Sequence, residues 1–413
     1  MFRKKRFAVS FICIFVFLQF FQSSYIRSYY RGDKFEEHLA TNKKTNKTKI
    51  IFIPGITGSG LFDRRNNEAI YGKAGTVAYY KTVYNIGKLY FTEDGKPVDA
   101  NIGAPRSDVK FSDSESEEIA QYGTECCYKQ IVLSLKKIPN YEKDIIFFNY
   151  DWRRDINETS KKLYKRIKKE KCDKFTLVCF SLGGLVTFLT LNKLKKNNLF
   201  EKIKKVVFVG VPFGGSATAS MALNQGTNDE KDTGWGISAI RRRIFANLSS
   251  SFFSTYQLLP TRSFGYFTKK DEEEPEGFIY GFNDKLLNLE QEIEFLKKQK
   301  FAKKFTGDCK ETHFEKMKKI NSKITLKNLE VLNEIDCYFI AGKGFPTVLT
   351  VEKKNDRFVQ KESADGDGVV TFSQSAIPPN FLESNKVFSF ILDHSSLVTN
   401  PDSIKTIVEL VSD

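Results

Sequence analysis

A serine enclosed by small residues is the first feature of this chain that could do chemistry. The segment from Val178 to Leu185 reads VCFSLGGL, with Ser181 two residues after Cys179 and two residues before Gly183. A nucleophilic serine on a sharp strand-to-helix turn needs small residues at these two positions, because larger ones would collide with neighbouring backbone. The usual G-x-S-x-G pattern is kept only at its second glycine, so the flanking elements must support the prediction that Ser181 is a nucleophile.

A serine hydroxyl is a weak nucleophile unless a base takes its proton, and histidines are scarce here. The chain holds only His38, His313 and His394. His38 precedes the first predicted strand, and His313 lies in a helix rich in Lys and Glu. His394 directly follows an apolar strand near the C-terminus, where a fold with a strand-turn-helix serine supplies its base. We therefore predict that His394 accepts the Ser181 proton.

The third member of such a group is a carboxylate that holds the imidazole in the correct tautomer and stabilises the imidazolium. The segment from Ser363 to Val370 reads SADGDGVV and lies between the serine and the histidine, as the chain order of this fold requires. Asp365 and Asp367 both suit the role, and the pattern alone does not choose between them. A calcium site would need a longer series of oxygen ligands.

The oxyanion that forms when a serine attacks an ester needs preorganised backbone donors. One is the amide of the residue after the nucleophile, Leu182. The other comes from the loop after an early strand, and the glycine-rich segment from Gly55 to Gly60 (GITGSG) is the available loop. We predict the Ile56 amide as the second donor.

The elements that must position these residues alternate between strand and helix. Short apolar runs predict six strands: Lys49 to Pro54, Asp144 to Tyr150, Lys174 to Phe180, Lys204 to Val211, Ile335 to Ala341 and Lys386 to Leu392. Helical spacing predicts helices at residues 159–171 and 183–196. Strands and helices that alternate in this way form a mostly parallel central sheet with helices on both faces, an α/β fold.

The alternation is interrupted twice within the predicted hydrolase-like domain, residues 48–413. Residues 60–140 are aromatic and poorly periodic, and we predict a membrane-facing or lid-like insertion there. Residues 214–333 are polar and charged, and we predict a cap. The last two sheet strands then follow this second insertion.

The N-terminus carries a targeting signal. Four basic residues, from Arg3 to Arg6, precede an apolar run at residues 7–21, and residues 1–24 predict a secretory signal peptide. The run is short for a membrane span, although retention as a signal-anchor is the alternative. Glycosylation sequons at Asn46, Asn157 and Asn247 fit a lumenal or extracellular chain.

The net charge of +15 predicts attraction to anionic surfaces. Lysines are scattered along helices such as residues 160–170, a pattern of solvated helix faces, so we expect a membrane surface and no nucleic acid. Three histidines and no cysteine pair with metal-site spacing argue against a metal, and no cofactor is implied. The pairing of the six cysteines after Cys13 cannot be deduced from spacing.

Six motifs taken in order resemble one family, the lecithin:cholesterol acyltransferase and lysosomal phospholipase A group of α/β-hydrolases. They are IFIPGITGSGL at residues 51–61, NYDWRR at 149–154, CFSLGG at 179–184, GVPFGGS at 210–216, DGDGVV at 365–370 and DHSSL at 393–397. The resemblance implies an α/β-hydrolase fold with inserted cap and lid segments. It also implies that Asp367 is the acid and that Trp152 lies near the acyl or head-group site.

The resulting expectation is a serine acyl hydrolase or acyltransferase that works at a membrane surface. It would cleave a phospholipid fatty-acyl ester through an acyl-enzyme and pass the acyl group to water or to a lipid alcohol such as a sterol. The alternatives are a neutral-lipid or thioester lipase with the same three residues, and an inactive, lipid-binding member of the fold.

Overall fold

The structure, a computed structural model, describes the following residues: 48–71, 85–105, 125–138, 141, 145–224, 244, 246–260, 280–282, 285–286, 289–298, 312–354 and 357–412. The predicted signal peptide and the alternative anchor at residues 7–21 lie outside these ranges. None of the helices in the described part of the chain combines the length and the apolar character that crossing a membrane would require.

Thirteen strands are described: β1 Thr48–Ile53, β2 Leu61–Asp63, β3 Glu68–Tyr71, β4 Ile102–Gly103, β5 Ile146–Phe147, β6 Lys174–Phe180, β7 Ile203–Val209, β8 Tyr280–Phe282, β9 Lys285–Leu286, β10 Asp336–Gly342, β11 Thr347–Lys354, β12 Arg357–Ser363 and β13 Val387–Phe390. The α-helices in the described ranges are α1 Glu125–Lys136, α2 Ile156–Lys169, α3 Leu182–Lys196, α4 Ala217–Asn224, α5 Phe253–Gln257, α6 Leu289–Lys297, α7 His313–Asn321, α8 Leu326–Leu329 and α9 Pro401–Ser412.

The central sheet has six strands in the order β13-β10-β7-β6-β1-β5, and every described pair in it is parallel. Parallel strands present all their carboxyl ends at one edge, where loops from different parts of the chain meet. The predicted parallel sheet is therefore confirmed. Its six strands are the six runs expected from the sequence.

Side chains alternate between the two faces of this sheet, as the period of a strand requires. In β6, Leu177 and Cys179 belong to the larger core cluster, which the apolar faces of α2 and α3 complete. Val178 and Phe180 point the other way, into a second cluster completed by α1 and α9. Helices thus cover both faces, which is why the strands are apolar throughout.

Element ends differ from the predicted ones by a few residues for local reasons. Helix α2 begins at Ile156 because the Asp155 side chain accepts from the Asn157 amide and caps it. Strand β5 covers only Ile146–Phe147, far shorter than predicted, because the chain beyond it leaves the ladder and the Tyr150 amide bonds Ser59 Oγ instead.

Two smaller sheets were not expected from the sequence. One has the order β3-β2-β4, and the other, β12-β11-β8-β9, joins the hairpin of β11 and β12 to strands from the segment predicted as the cap. Helix α1, in the range predicted as the first insertion, packs on the central sheet. The division into a hydrolase domain with two insertions stays a prediction.

A fully buried arginine ties the segments around β4 to the central sheet. Arg153 donates to both carboxylate oxygens of Asp151 at 2.8 Å, and to the carbonyl oxygens of Leu89 and Ile102 at 2.9 and 3.1 Å. Burial raises the pKa of the Asp151 carboxyl, but Arg153 and Arg154 outweigh this, so the pKa lies below its ordinary value. The buried pair is therefore ionised on both sides.

His313, rejected as a base on sequence grounds, is a buried structural residue at the start of α7. Its Nε2 donates to the Ser251 carbonyl oxygen at 2.9 Å, and its ring stacks on Phe253 with centroids 4.2 Å apart. Burial lowers the pKa of His313 from 6.5 to about 4; the bond to Ser251 opposes this shift and the charge of Lys316 adds to it.

This lowered pKa predicts acid sensitivity. In the unfolded chain His313 binds a proton below about pH 6.5, whereas in the folded chain it does so only near pH 4, so stability is lost as the pH falls through this window. The loss amounts to about 3 kcal/mol. Urea unfolding of wild type and His313→Gln between pH 7.5 and 4 should show their free energies of unfolding converging by that amount as the pH falls. Parallel pH profiles, with equal denaturant slopes, would contradict the assignment.

Candidate active site

Ser181 lies on a strained turn between β6 and α3. Its backbone has φ 52° and ψ −126°, a conformation that costs a non-glycine residue about 1–3 kcal/mol. The Ser181 amide donates to the Val209 carbonyl at 2.9 Å, and the Gly184 amide donates to the Ser181 carbonyl at 2.8 Å. These bonds hold the turn in place, so the hydroxyl stands at the carboxyl edge of the sheet.

Cys179 and Gly183, the small residues near Ser181, lie in closely packed surroundings. A Cβ added to Gly183 would lie 2.3 Å from the Ile53 carbonyl oxygen, so no other residue fits without moving β1. Cys179, at the other small position, is a fully buried free thiol whose pKa burial raises. Its role is packing between β6 and its neighbours, since a protonated, buried thiol is not a nucleophile.

His394 reaches Ser181 from the loop after β13. Its Nε2 lies 3.0 Å from Ser181 Oγ, and its Nδ1 lies 2.7 Å from Asp367 Oδ2. Because a carboxylate only accepts, Nδ1 carries the proton and Nε2 is left to accept from the serine. The Phe180 ring lies 4.8 Å from the imidazole, centroid to centroid, and fixes one side of it.

The two aspartates that the sequence left open have different partners. Asp367 is buried, bonds His394, and accepts from the amides of Val369 and Val370 at 2.9 and 2.7 Å. Asp365 instead accepts from the hydroxyl and the amide of Ser373 at 2.5 and 3.3 Å. Asp367 therefore has the geometry of the orienting acid, and Asp365 closes its own loop.

The two predicted oxyanion donors adjoin the serine and are unused by the protein. A Cβ on Gly55 would lie 2.9 Å from Ser181 Cβ, so the loop that carries Ile56 lies directly against Ser181. Within the described ranges, neither the Ile56 nor the Leu182 amide donates to a protein acceptor. The Gly55 amide, by contrast, donates to the Tyr128 hydroxyl at 3.2 Å, which holds this loop.

Trp152 is buried in the framework behind that loop. Its Nε1 donates to the Ser59 carbonyl at 3.0 Å, and its ring packs edge-on against Tyr71 and Phe252. Tyr150, two residues earlier, donates its hydroxyl to the Pro54 carbonyl at 2.7 Å. These contacts shape the loop, while a direct role of Trp152 in binding substrate stays a prediction.

Sequence reasoning missed several supporting residues. Phe180 and Tyr128 gave no signal beyond their apolar neighbours, and their roles depend on packing between distant segments. The sequon at Asn157 also has a different role than expected: the side chain is buried and accepts from Lys193 and Lys323 at 3.3 and 2.8 Å. In the folded chain Asn157 is therefore not available for glycosylation.

Metal chemistry has no candidate site in the described ranges, where no group of three or more His, Cys, Asp and Glu side chains is arranged to hold an ion. What the site offers is a hydroxyl, a base, an acid and backbone donors. This is the set that acyl transfer through a covalent intermediate uses.

Comparisons with known proteins bear on the fold and on the family of this chain. One chain of the solved structure described as the Tle4–Tli4 complex has a TM-score of 0.58 and 12% identity, over 89% of this chain and 98% of that one. The Bacillus licheniformis lipase BlEst2 in its mature form has a TM-score of 0.39 and 13% identity, over 91% and 96%. None of the curated proteins matches the chain.

The sequence pattern of one family covers residues 110–356, a range that contains α1 and extends to the end of β11. That stretch includes Ser181 and is well over half of the chain. The fold is the α/β-hydrolase fold, as expected. This protein therefore belongs to the lecithin:cholesterol acyltransferase family and is a lipid acyl hydrolase or acyltransferase.

Proposed function

We propose that this chain cleaves a fatty-acyl ester of a phospholipid with Ser181 as nucleophile, and passes the acyl group to water or to a lipid alcohol. One observation carries the proposal: Asp367, His394 and Ser181 form a hydrogen-bonded series with distances of 2.7 and 3.0 Å. Family membership supports the lipid acyl chemistry, and this geometry supports the serine mechanism.

In the first half-reaction, Ser181 Oγ attacks the ester carbonyl carbon while its proton passes to His394 Nε2. Asp367 accepts a hydrogen bond from the protonated Nδ1 of His394 and stabilises the imidazolium that forms. The carbonyl oxygen becomes an oxyanion and accepts from the amides of Ile56 and Leu182. The carbon–oxygen bond to the lysophospholipid then breaks, and its oxygen takes the proton from His394.

In the second half-reaction, the acyl group is an ester of Ser181. Water or a lipid alcohol attacks that ester and gives its proton to His394, which returns it to Ser181 Oγ as the bond breaks. Water yields a free fatty acid, and an alcohol yields a new ester. Both outcomes use the same groups, so the acceptor that reaches the acyl-enzyme decides between hydrolysis and transfer.

We propose a membrane surface as the place of action, reached through the secretory pathway with residues 1–24 as signal. Without the four basic residues of that signal, Arg3 to Arg6, the net charge of +15 becomes +11, which still supports attraction to anionic lipid.

Replacement of Ser181 by Ala should abolish turnover. We expect release of fatty acid from phosphatidylcholine vesicles to fall by about 10⁴-fold or more, since removing the nucleophile leaves only binding and oxyanion stabilisation. Ser412→Ala is the matched control and should keep wild-type rates, because this half-buried hydroxyl at the end of α9 bonds the Val408 carbonyl of its own helix. Equal rates for wild type and a folded Ser181→Ala protein would refute the serine mechanism.

Substitutions of Asp367 and Asp365 should have very different effects on activity. Asp367→Asn should lower kcat by about 10⁴-fold, because an amide cannot hold the Nδ1-protonated tautomer of His394. Asp365→Asn should stay within about tenfold of wild type, because among the described residues its carboxylate bonds only Ser373 of its own loop. Steady-state rates on one soluble ester measure both. A larger loss for Asp365→Asn would reverse the assignment.

The acceptor can be identified from products. Vesicles of phosphatidylcholine with two distinguishable acyl chains, with and without a sterol, should yield Ser181-dependent free fatty acid, and sterol ester where the alcohol competes with water. Mass spectrometry of the lipids also reports which acyl position is cleaved. Faster turnover of triacylglycerol or acyl-thioester than of phospholipid would move the substrate class away from the proposal.

A further inference from the structure

A polar cavity lies beside the β5–α2 connection. Its volume is about 380 Å³, within the range of about 300–1,000 Å³ typical of ligand pockets. Four separate segments line it: the β2–β3 turn, the residues after β4, the β5–α2 connection and α2 itself. The lining residues are Arg64, Ala104, Pro105, Asn149, Tyr150, Asp151, Arg154 and Lys162.

The charge around this cavity is positive. Arg64, Arg154 and Lys162 contribute three cations, whereas Asp151 is the one carboxylate among the described lining residues and is already bound by Arg153 and Arg154. The Nε atom of Arg154 donates to Asp151 Oδ2 at 3.2 Å. The two terminal nitrogens of the Arg154 guanidinium have no acceptor among the described residues. The Lys162 ammonium has no acceptor there either, and the side chain is exposed.

A buried amide adds a neutral donor. Both polar atoms of the Asn149 side chain are shielded from solvent and lack a hydrogen-bond partner in the described chain. Leaving such a group unsatisfied costs about 1–3 kcal/mol, so its retention on the wall of a cavity indicates a partner that comes from outside the chain.

The cations also disfavour one another in the free protein. Desolvation of the ammonium and the charges of Arg154 and Arg64 lower the pKa of Lys162, while Asp151 and Glu158 raise it. An anion in the cavity would relieve this repulsion. It would also give the unused donors of Arg154 and Asn149 acceptors, and charge-assisted bonds from a guanidinium to phosphate are among the strong ones in proteins.

We propose that this cavity binds a phosphate group, held by Arg154, Lys162 and Asn149. The group could reach it as the head group of a phospholipid or as free inorganic phosphate. As a head-group site it rests on the proposed function, since it would place the lipid beside the loop that Tyr150 anchors at Pro54. As a phosphate site it stands without any acyl chemistry.

The test uses the full chain carrying Ser181→Ala, so that no lipid is consumed and a failure of the catalytic proposal leaves the binding result intact. Isothermal titration calorimetry with inorganic phosphate, at ionic strength held constant with chloride, should show one site. Lys162→Gln should weaken phosphate binding, with a dissociation constant about tenfold higher. Lys161→Gln, its exposed neighbour outside the cavity, should leave it unchanged. Equal binding by both variants, or no binding by the parent of either phosphate or lipid, would overturn the proposal.

Asn149→Asp provides a second signature. It places a carboxylate of the same shape among the three cations, so it should raise the unfolding temperature without phosphate and abolish the response to phosphate. A variant that is destabilised and still binds phosphate would contradict the site. Soluble dihexanoyl phosphatidylcholine then identifies the source: competition with phosphate indicates a head-group site, and phosphate binding without competition indicates a site for the free anion.

Discussion

The backbone of Ser181 is the constraint on which the rest of the active site depends. An L-residue at φ 52° is held there only if the surrounding structure leaves it no alternative. The turn is fixed on its strand side because β6 pairs with both β1 and β7. It is fixed on its helix side because α3 is buried along most of its length. Because Gly183 lies against β1, a relaxed turn would push the helix off the sheet.

The carboxyl edge of the parallel sheet then assembles the remaining groups. The loop after β1 brings Ile56, the segment after β12 brings Asp367, and the loop after β13 brings His394. The same edge carries the cavity with Arg154 and Lys162, because the connection from β5 to α2 leaves the sheet there. A buried ion pair is costly unless all its polar groups are hydrogen-bonded. The Arg153 guanidinium meets this condition by donating four hydrogen bonds, to Asp151, Leu89 and Ile102, which hold the β5–α2 connection to β4.

Prediction from the sequence succeeded where one local pattern carried the structure. Six apolar runs became the six strands of the central sheet because buried parallel strands need no partner pattern beyond continuous hydrophobicity. The β11–β12 hairpin was missed although its residues alternate around a polar turn, because its partner strand β8 comes from a distant segment. Strand β5 was drawn too long because nothing in DIIFFNY marks where the ladder ends.

The sequence by itself identified Ser181, His394 and the amides of Ile56 and Leu182 as candidate site residues, and it determined the alternation that defines the fold, since each of these follows from residue type and order along the chain. Residue pattern alone left Asp365 and Asp367 open, and the family resemblance implied Asp367; the two differ in which neighbour each reaches. Tertiary structure placed Asp367 against His394 and Asp365 against Ser373, showed that Asn157 is buried, and brought Arg64, Asn149, Arg154 and Lys162 around one cavity. Contacts between residues far apart in sequence arise from packing, and no local pattern records them.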